Sequence, residues 1–266
     1  MDTTYRLVVE YDGTDFSGFQ YQPHERTVAG VLEAALSQLF DLAIKLTAAG
    51  RTDAGVHAVG QVVSFIGHDR FPVERLALAL NSVLPLDLSV RNPARVADGF
   101  SARTSALDRS YRYIVFNRRE PSAPVRRWSA FDYHPLDHER MRRAAVDLIG
   151  KHDFLSFCGV PPERGGTVRS LHSLEIEVEE PFVFFEFRAD GFLHRMVRIM
   201  TGTLLEIGAG RRPADAVPAI LESLNRRSAG LTAPPQGLCL VGVSYPDFSS
   251  RPLGELRPSN RTSLLG

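Results

Sequence analysis

Strand-like and helix-like segments alternate along this chain in nearly the same order twice. That doubling narrows the folds open to it more than any other feature. Segment 5–11, Tyr-Arg-Leu-Val-Val-Glu-Tyr, is rich in β-branched and aromatic residues and runs into the turn signal Asp12-Gly13, so it reads as a strand. Val28, Val31, Leu32, Ala35, Leu36, Leu39 and Phe40 recur at helical spacing behind Thr27, a good N-cap residue. Short strands are expected at 43–49 and 58–66, joined by the connection Gly50–His57, then a helix over 72–84 and a strand over 87–96. In the second half a strand over 107–117 precedes a helix from Asp137 to Ile149, closed by Gly150. Strands at 170–179 and 181–188, helices at 194–207 and 213–225, and a last strand at 238–245 follow.

The orders β-α-β-β-α-β and β-α-β-β-α-α-β predict an α+β fold of two ferredoxin-like subdomains, 1–105 and 106–246. Their antiparallel sheets would join edge to edge into one continuous surface with helices on one face. An active-site cleft is expected where the halves meet. No repeat is visible at the level of individual residues. Residues 247–266, rich in Pro, Ser, Gly and Arg, read as an irregular tail, and Gly159–Thr167 as a mobile flap.

Composition removes several classes. With 44% hydrophobic and 23% charged residues the chain is an ordinary globular mixture. No apolar run approaches the roughly 20 residues needed to span a bilayer, and no signal peptide precedes the first strand, so a cytoplasmic protein is expected. Cys158 and Cys239, the only cysteines, are too few for a disulfide framework or a Cys-rich zinc site and read as packing residues. His134 and His138 are interrupted by Pro135, which argues against a metal pair. Net charge is zero, yet 103–127 holds seven arginines against Asp108 and Glu120, while 171–190 holds six acidic residues against Arg188. A neutral chain can thus carry a basic face that attracts phosphates, or merely a solvated arginine-rich one.

Three places could carry chemistry. In Ala49-Gly50-Arg51-Thr52-Asp53-Ala54-Gly55-Val56-His57 one carboxylate stands among small residues, with Arg51 and His57 able to keep it ionised. An ordinary turn in which Asp53 bonds the backbone fits the same residues. In Phe192–Met200 the helix is apolar nearly all round, so Arg198 needs an anionic or carbonyl partner. Asp53, a substrate phosphate and Glu206 all qualify. In Arg109-Ser110-Tyr111-Arg112-Tyr113 the two tyrosines share a face with Arg109, which would suit base stacking or simply a stable strand.

Taken together, these residues resemble a known family. GRTDAGVHAVGQVVSF at 50–65 closely resembles the signature of the TruA family of tRNA pseudouridine synthases. YDGTDFSGFQ at 11–20, FSAR at 100–103, RSYRYIVFN at 109–117, FLHRMVRIMTGTLLEIGAGR at 192–211 and APPQGLCLVGVSY at 233–245 look like the family's further motifs, in order. The resemblance implies a doubled ferredoxin-like fold and a homodimeric enzyme. It also implies isomerisation of uridine to pseudouridine at tRNA positions 38, 39 and 40, in the anticodon arm, with neither metal nor organic cofactor. It places Asp53 on the catalytic aspartate, Tyr111 on the tyrosine that contacts the target base, and Arg51 and Arg198 on arginines lining the site. An Arg198–Asp53 pair is expected, with Arg51 facing RNA phosphates and 103–127 forming the tRNA-backbone surface. Whether Asp53 attacks C1′ or abstracts a proton there is left open. A non-catalytic RNA-binding module would use the same sheet and arginines but would not need Asp53. A metal-dependent phosphodiesterase would need more carboxylates beside it.

Overall fold

In the computed structural model, which describes residues 2–69 and 71–252, both halves build strands around a shared edge. The first half forms β1 (Asp2–Tyr11), α1 (Val28–Phe40), β2 (Thr47–Ala48), β3 (His57–His68), α2 (Val73–Asn81) and β4 (Leu88–Val96). The second forms β5 (Asp108–Asn117), β6 (Ala130–Asp132), α3 (His138–Val146), β7 (Gly150–Asp153), β8 (Val168–Glu179) and β9 (Phe182–Ala189). It continues through α4 (Met196–Gly208), α5 (Ala216–Ser223), β10 (Leu238–Tyr245) and β11 (Phe248–Ser249). One sheet runs through both halves in the order β4-β1-β3-β10-β5-β9-β8-β7, with β2 added to β3, β6 to β5 and β11 to β10. With the added strands β6, β7 and β11 set aside, each half places its fourth strand beside the first, then the third, then the second: β4-β1-β3-β2 and β10-β5-β9-β8. That is the doubled ferredoxin-like arrangement expected from the element order.

The join between the halves is parallel, and it is short. Only Cys239↔His57 and Leu240↔Ala58 pair β10 with β3. Further along, the same edge of β3 pairs antiparallel with β2, through Thr47↔Ser64 and Ala48↔Val63. The connection 49–56 that leaves β2 and enters β3 consequently lies in the fork where the two halves separate.

Alternation along the strands builds the core. Tyr5, Leu7, Val9 and Tyr11 of β1 share one buried cluster with Leu32 and Leu36 of α1 and Leu76 and Leu80 of α2. Tyr113 and Val115 of β5 and Phe185 and Phe187 of β9 extend the same cluster to Met141 of α3 and to Ile199 and Leu204 of α4. Helix α4 is buried nearly all round, as its sequence predicts. It also meets a crossing segment so closely that a Cβ at Gly202 would stand 1.8 Å from the Leu231 carbonyl oxygen.

Several boundaries differ from those read in the sequence. The strand expected at 43–49 shrinks to two residues because α1 side chains take its amides: Ser37 Oγ accepts from Ile44 N and Glu33 Oε1 from Leu46 N. The helix expected from residue 194 opens at Met196, since Arg195 has φ +58°. The helix expected to reach Ile149 ends at Val146, and residues 150–153 become the unforeseen strand β7. The tail reading is corrected over 247–252. There β11 pairs with β10, and the buried Ser250 hydroxyl donates to Gly60 O at 2.6 Å and accepts from Val243 N at 2.8 Å. Residues 253–266 of that tail lie outside the described residues.

Candidate active site

The connection 49–56 is held at both ends and along its length. At its start, the Arg109 guanidinium donates to Ala49 O, and Gln61 Nε2 donates to Gly50 O at 2.8 Å. In its middle, Thr52 Oγ1 bonds the Tyr11 hydroxyl at 2.8 Å and Thr52 O accepts from Phe19 N at 3.0 Å. Its turn closes through Val56 N donating to Asp53 O at 3.2 Å. Gly55 sits at φ +78°, which a side chain would strain; Gly13 is packed so tightly that its Cβ would stand 2.0 Å from Val56 O. Asp53 is thus in a turn, as the plainer reading had it, but its carboxylate is not spent on that turn.

The carboxylate faces the second half of the chain. Arg198 Nη1 donates to Asp53 Oδ2 at 2.7 Å, while Arg198 Nε donates to Ala233 O at 2.8 Å. The guanidinium is aimed from both sides, and its side chain is 11% exposed against 24% for Asp53. His194 Nε2 lies 3.7 Å from Oδ1 and Arg195 Nε 4.0 Å from Oδ2. All three basic groups belong to the first turn of α4 or the residues just before it. The helix dipole therefore adds its positive end to theirs. A carboxylate with a cationic partner on one oxygen and, among the described residues, no hydrogen bond to the other is equipped to act as a nucleophile or a base. Of the three partners open to Arg198, Asp53 is the one it takes. Glu206 is occupied by Arg212, at 2.9 Å.

Tyr111 lies beneath the same loop, 7% exposed, edge-on to Phe192 with ring centroids 5.1 Å apart. Burial pushes its phenol above the ordinary value, so it is neutral at physiological pH. A Cβ at Gly50 would stand 3.7 Å from the Tyr111 hydroxyl, an ordinary van der Waals distance, so the loop passes directly over that hydroxyl. Arg51 is exposed, two residues from Asp53, and makes no ion pair or hydrogen bond among the described residues. The rest of the tyrosine and arginine platform is corrected. Tyr113 is fully buried, its hydroxyl donating to Pro234 O at 2.8 Å, and Arg109 spends its guanidinium on the carbonyls of Ala49, Arg103, Ala106 and Asp190. Arg112 is buried against Glu186 on the opposite face.

His194 and Arg195 were not singled out from the sequence. The signal available was their spacing: two basic side chains three and four residues before Arg198, where one helical turn brings side chains together. Among the described residues, no group of three or more His, Cys, Asp or Glu side chains could hold a metal ion. No helix among the described residues is long and apolar enough to cross a membrane. Burial pushes the Cys239 thiol up to about 12, which removes it as a nucleophile near neutrality.

His57 anchors the far end of the loop. Its Nδ1 accepts from Gly13 N at 3.0 Å, and its ring packs on Trp128 with centroids 4.5 Å apart. Burial holds this imidazole below its ordinary 6.5 despite the nearby Asp12. As pH falls, the unfolded chain therefore takes up the proton before the folded one. His57 contributes its stability fully above about 6.5 and loses it progressively below. Urea unfolding at pH 7.5 and 5.5 should show a smaller acid loss in His57→Gln than in the parent; parallel losses would exclude His57 as the source.

Comparison with known proteins shows the family. The family model described as tRNA pseudouridine synthase matches residues 7–100 and 144–246. The tRNA pseudouridine synthase A of Moorella thermoacetica is 47% identical over 242 residues, spanning 90% of this chain and 98% of that relative. Its counterpart from Halalkalibacterium halodurans is 48% identical over 233 residues, spanning 87% and 89%. A fold of two ferredoxin-like halves with a lone carboxylate among arginines at their junction thus defines an RNA-modifying isomerase. The chain belongs to the tRNA pseudouridine synthase family, in the TruA branch that its motifs resemble, and it forms pseudouridine in tRNA.

Proposed function

We propose that this enzyme isomerises uridine at positions 38, 39 and 40 of the anticodon arm, as a cytoplasmic homodimer, with Asp53 as the reacting carboxylate and no metal or organic cofactor. The observation that carries the assignment of Asp53 is the 2.7 Å bond from Arg198, which joins the two halves at the fork of the sheet. The bond from ribose C1′ to uracil N1 breaks, the base turns, C1′ joins C5, the hydrogen on C5 leaves as a proton, and N1 takes up a proton, so that the product is an isomer of the substrate. A uridine in a stem or loop has to be flipped out first, at a cost of about a few kcal/mol. Contact of the base with Tyr111, which lies nearly buried beside the loop, offsets part of it. Arg198 orients Asp53 through Oδ2 and leaves Oδ1 for the sugar, whether as nucleophile or as base. Arg51, exposed and unpaired, receives an RNA phosphate. Arg109 and Arg112 are committed to the protein interior, Arg118 bonds the carbonyls of Glu120 and Pro121, and Arg127 faces Asp12, so Arg103, Arg119 and Arg126 are the arginines of this stretch left for the tRNA backbone.

Anticodon-arm substrates carrying a single uridine at 38, 39 or 40 test the positions directly. Each should yield pseudouridine when the product nucleosides are resolved by chromatography, and an arm with no uridine at these positions should yield none. Product arising elsewhere in the tRNA, with none at the three positions, would contradict the assignment.

A further inference from the structure

After Arg51, Arg195 is a second basic side chain at the site whose position needs an explanation outside the protein. Arg198 already neutralises Asp53, so Arg195 is surplus charge. Its Nε lies 4.0 Å from Asp53, beyond hydrogen-bond distance, and its side chain makes no hydrogen bond to any described residue. Half of it is exposed, at 49%. Its backbone is held at φ +58°, ψ 11°, a left-handed conformation that non-glycine residues adopt only when their surroundings impose it. The surroundings do so here. Gly159 N donates to the carbonyl of His194 at 2.8 Å, and a Cβ at Gly159 would come within 2.8 Å of the His194 ring and 3.3 Å of Arg195 Cδ. Gly159 opens the exposed, glycine-containing loop 159–166, so the seat of Arg195 is formed jointly by that loop and the approach to α4.

A strained backbone that holds an uncommitted guanidinium beside a catalytic carboxylate is arranged for an incoming anion. The substrate supplies one, because a nucleotide with its C1′ over Asp53 carries phosphates one sugar away. Building on the tRNA reading above, we propose that Arg195 binds a backbone phosphate of the target nucleotide or its neighbour and so fixes the flipped nucleotide over Asp53. It is a substrate-binding residue distinct from Arg198, which orients the carboxylate, and from Arg51, on the opposite side of Asp53 in the sequence.

The test uses Arg195→Gly and Arg195→Lys in the full-length enzyme, with unmodified tRNA as the probe. Arg195→Gly relieves the left-handed strain, so it should melt no lower than the parent. It should nonetheless raise KM about tenfold at about 0.1 M salt, more than it lowers kcat. It should also reduce the slope of log affinity against log salt by about 1, whereas Arg195→Lys keeps the parental slope. Parental KM and salt slope in Arg195→Gly would overturn the proposal, and with a lower melting temperature they would make Arg195 a structural residue only. If the parent itself formed no pseudouridine, the functional reading would fail instead. The salt slope of binding would still decide the role of Arg195.

Discussion

Arg198→Glu should stay folded and bind tRNA, yet lose pseudouridine formation by about two orders of magnitude or more. The guanidinium is fixed by Asp53 Oδ2 on one side and Ala233 O on the other, so no neighbouring arginine can take its place without moving. Separating a buried ion pair costs about 3–5 kcal/mol, and the quarter exposure of Asp53 puts this pair at the lower end. That cost falls on stability; the rate falls because the carboxylate loses its orientation, and misplacing a reacting group by about 1 Å costs on the order of 100-fold. The replacement adds a second effect of the same sign. Two carboxylates in contact repel, so the second negative charge would push Asp53 away from the position that Arg198 gives it. Arg198→Lys should fall between, because an ammonium keeps the charge but cannot reach Asp53 and Ala233 together. Initial rates at saturating tRNA check the series, and an Arg198→Glu enzyme within about tenfold of the parent would remove the pair from the mechanism.

Asp53→Asn should be more damaging still, by about four orders of magnitude or more, as expected when a reacting group is deleted outright. The amide has the carboxylate's shape, so the loop held by Thr52, Gly50 and His57 keeps its bonds, none of which uses the Asp53 side chain. Binding should not weaken, because the change removes a negative charge from a site that must accept phosphates. A variant that binds tRNA as the parent does and turns nothing over distinguishes an enzyme from an RNA-binding module built on the same sheet. Filter binding and product analysis on one preparation give both readings.

Much of this was legible in the chain because local pattern and tertiary demand coincide. The spacing of Val28, Leu32, Leu36 and Phe40 set α1 correctly since all four are buried against the sheet. Arg198, flanked by apolar residues, called for a partner that the fold supplies. What escaped depends on partners far away in sequence. Residues 43–46 look like a strand, but Ser37 and Glu33 capture their amides, and no periodicity records that competition. Tyr113 and Arg109 look like a binding platform, but whether a strand face is wet or covered is decided by Pro234, Ala49 and Asp190. The left-handed backbone of Arg195 has no signature in an arginine, so the residue beside the carboxylate read as the second residue of a helix.

The most direct test of the account is tritium release from tRNA carrying uridine labelled at C5, with the parent and Asp53→Asn compared in EDTA. Forming the C1′–C5 bond expels the C5 hydrogen, so release reports the isomerisation and neither binding nor strand cleavage. The account predicts release by the parent, undiminished by EDTA, and none by Asp53→Asn. Equal release by Asp53→Asn would contradict the central role given to this carboxylate.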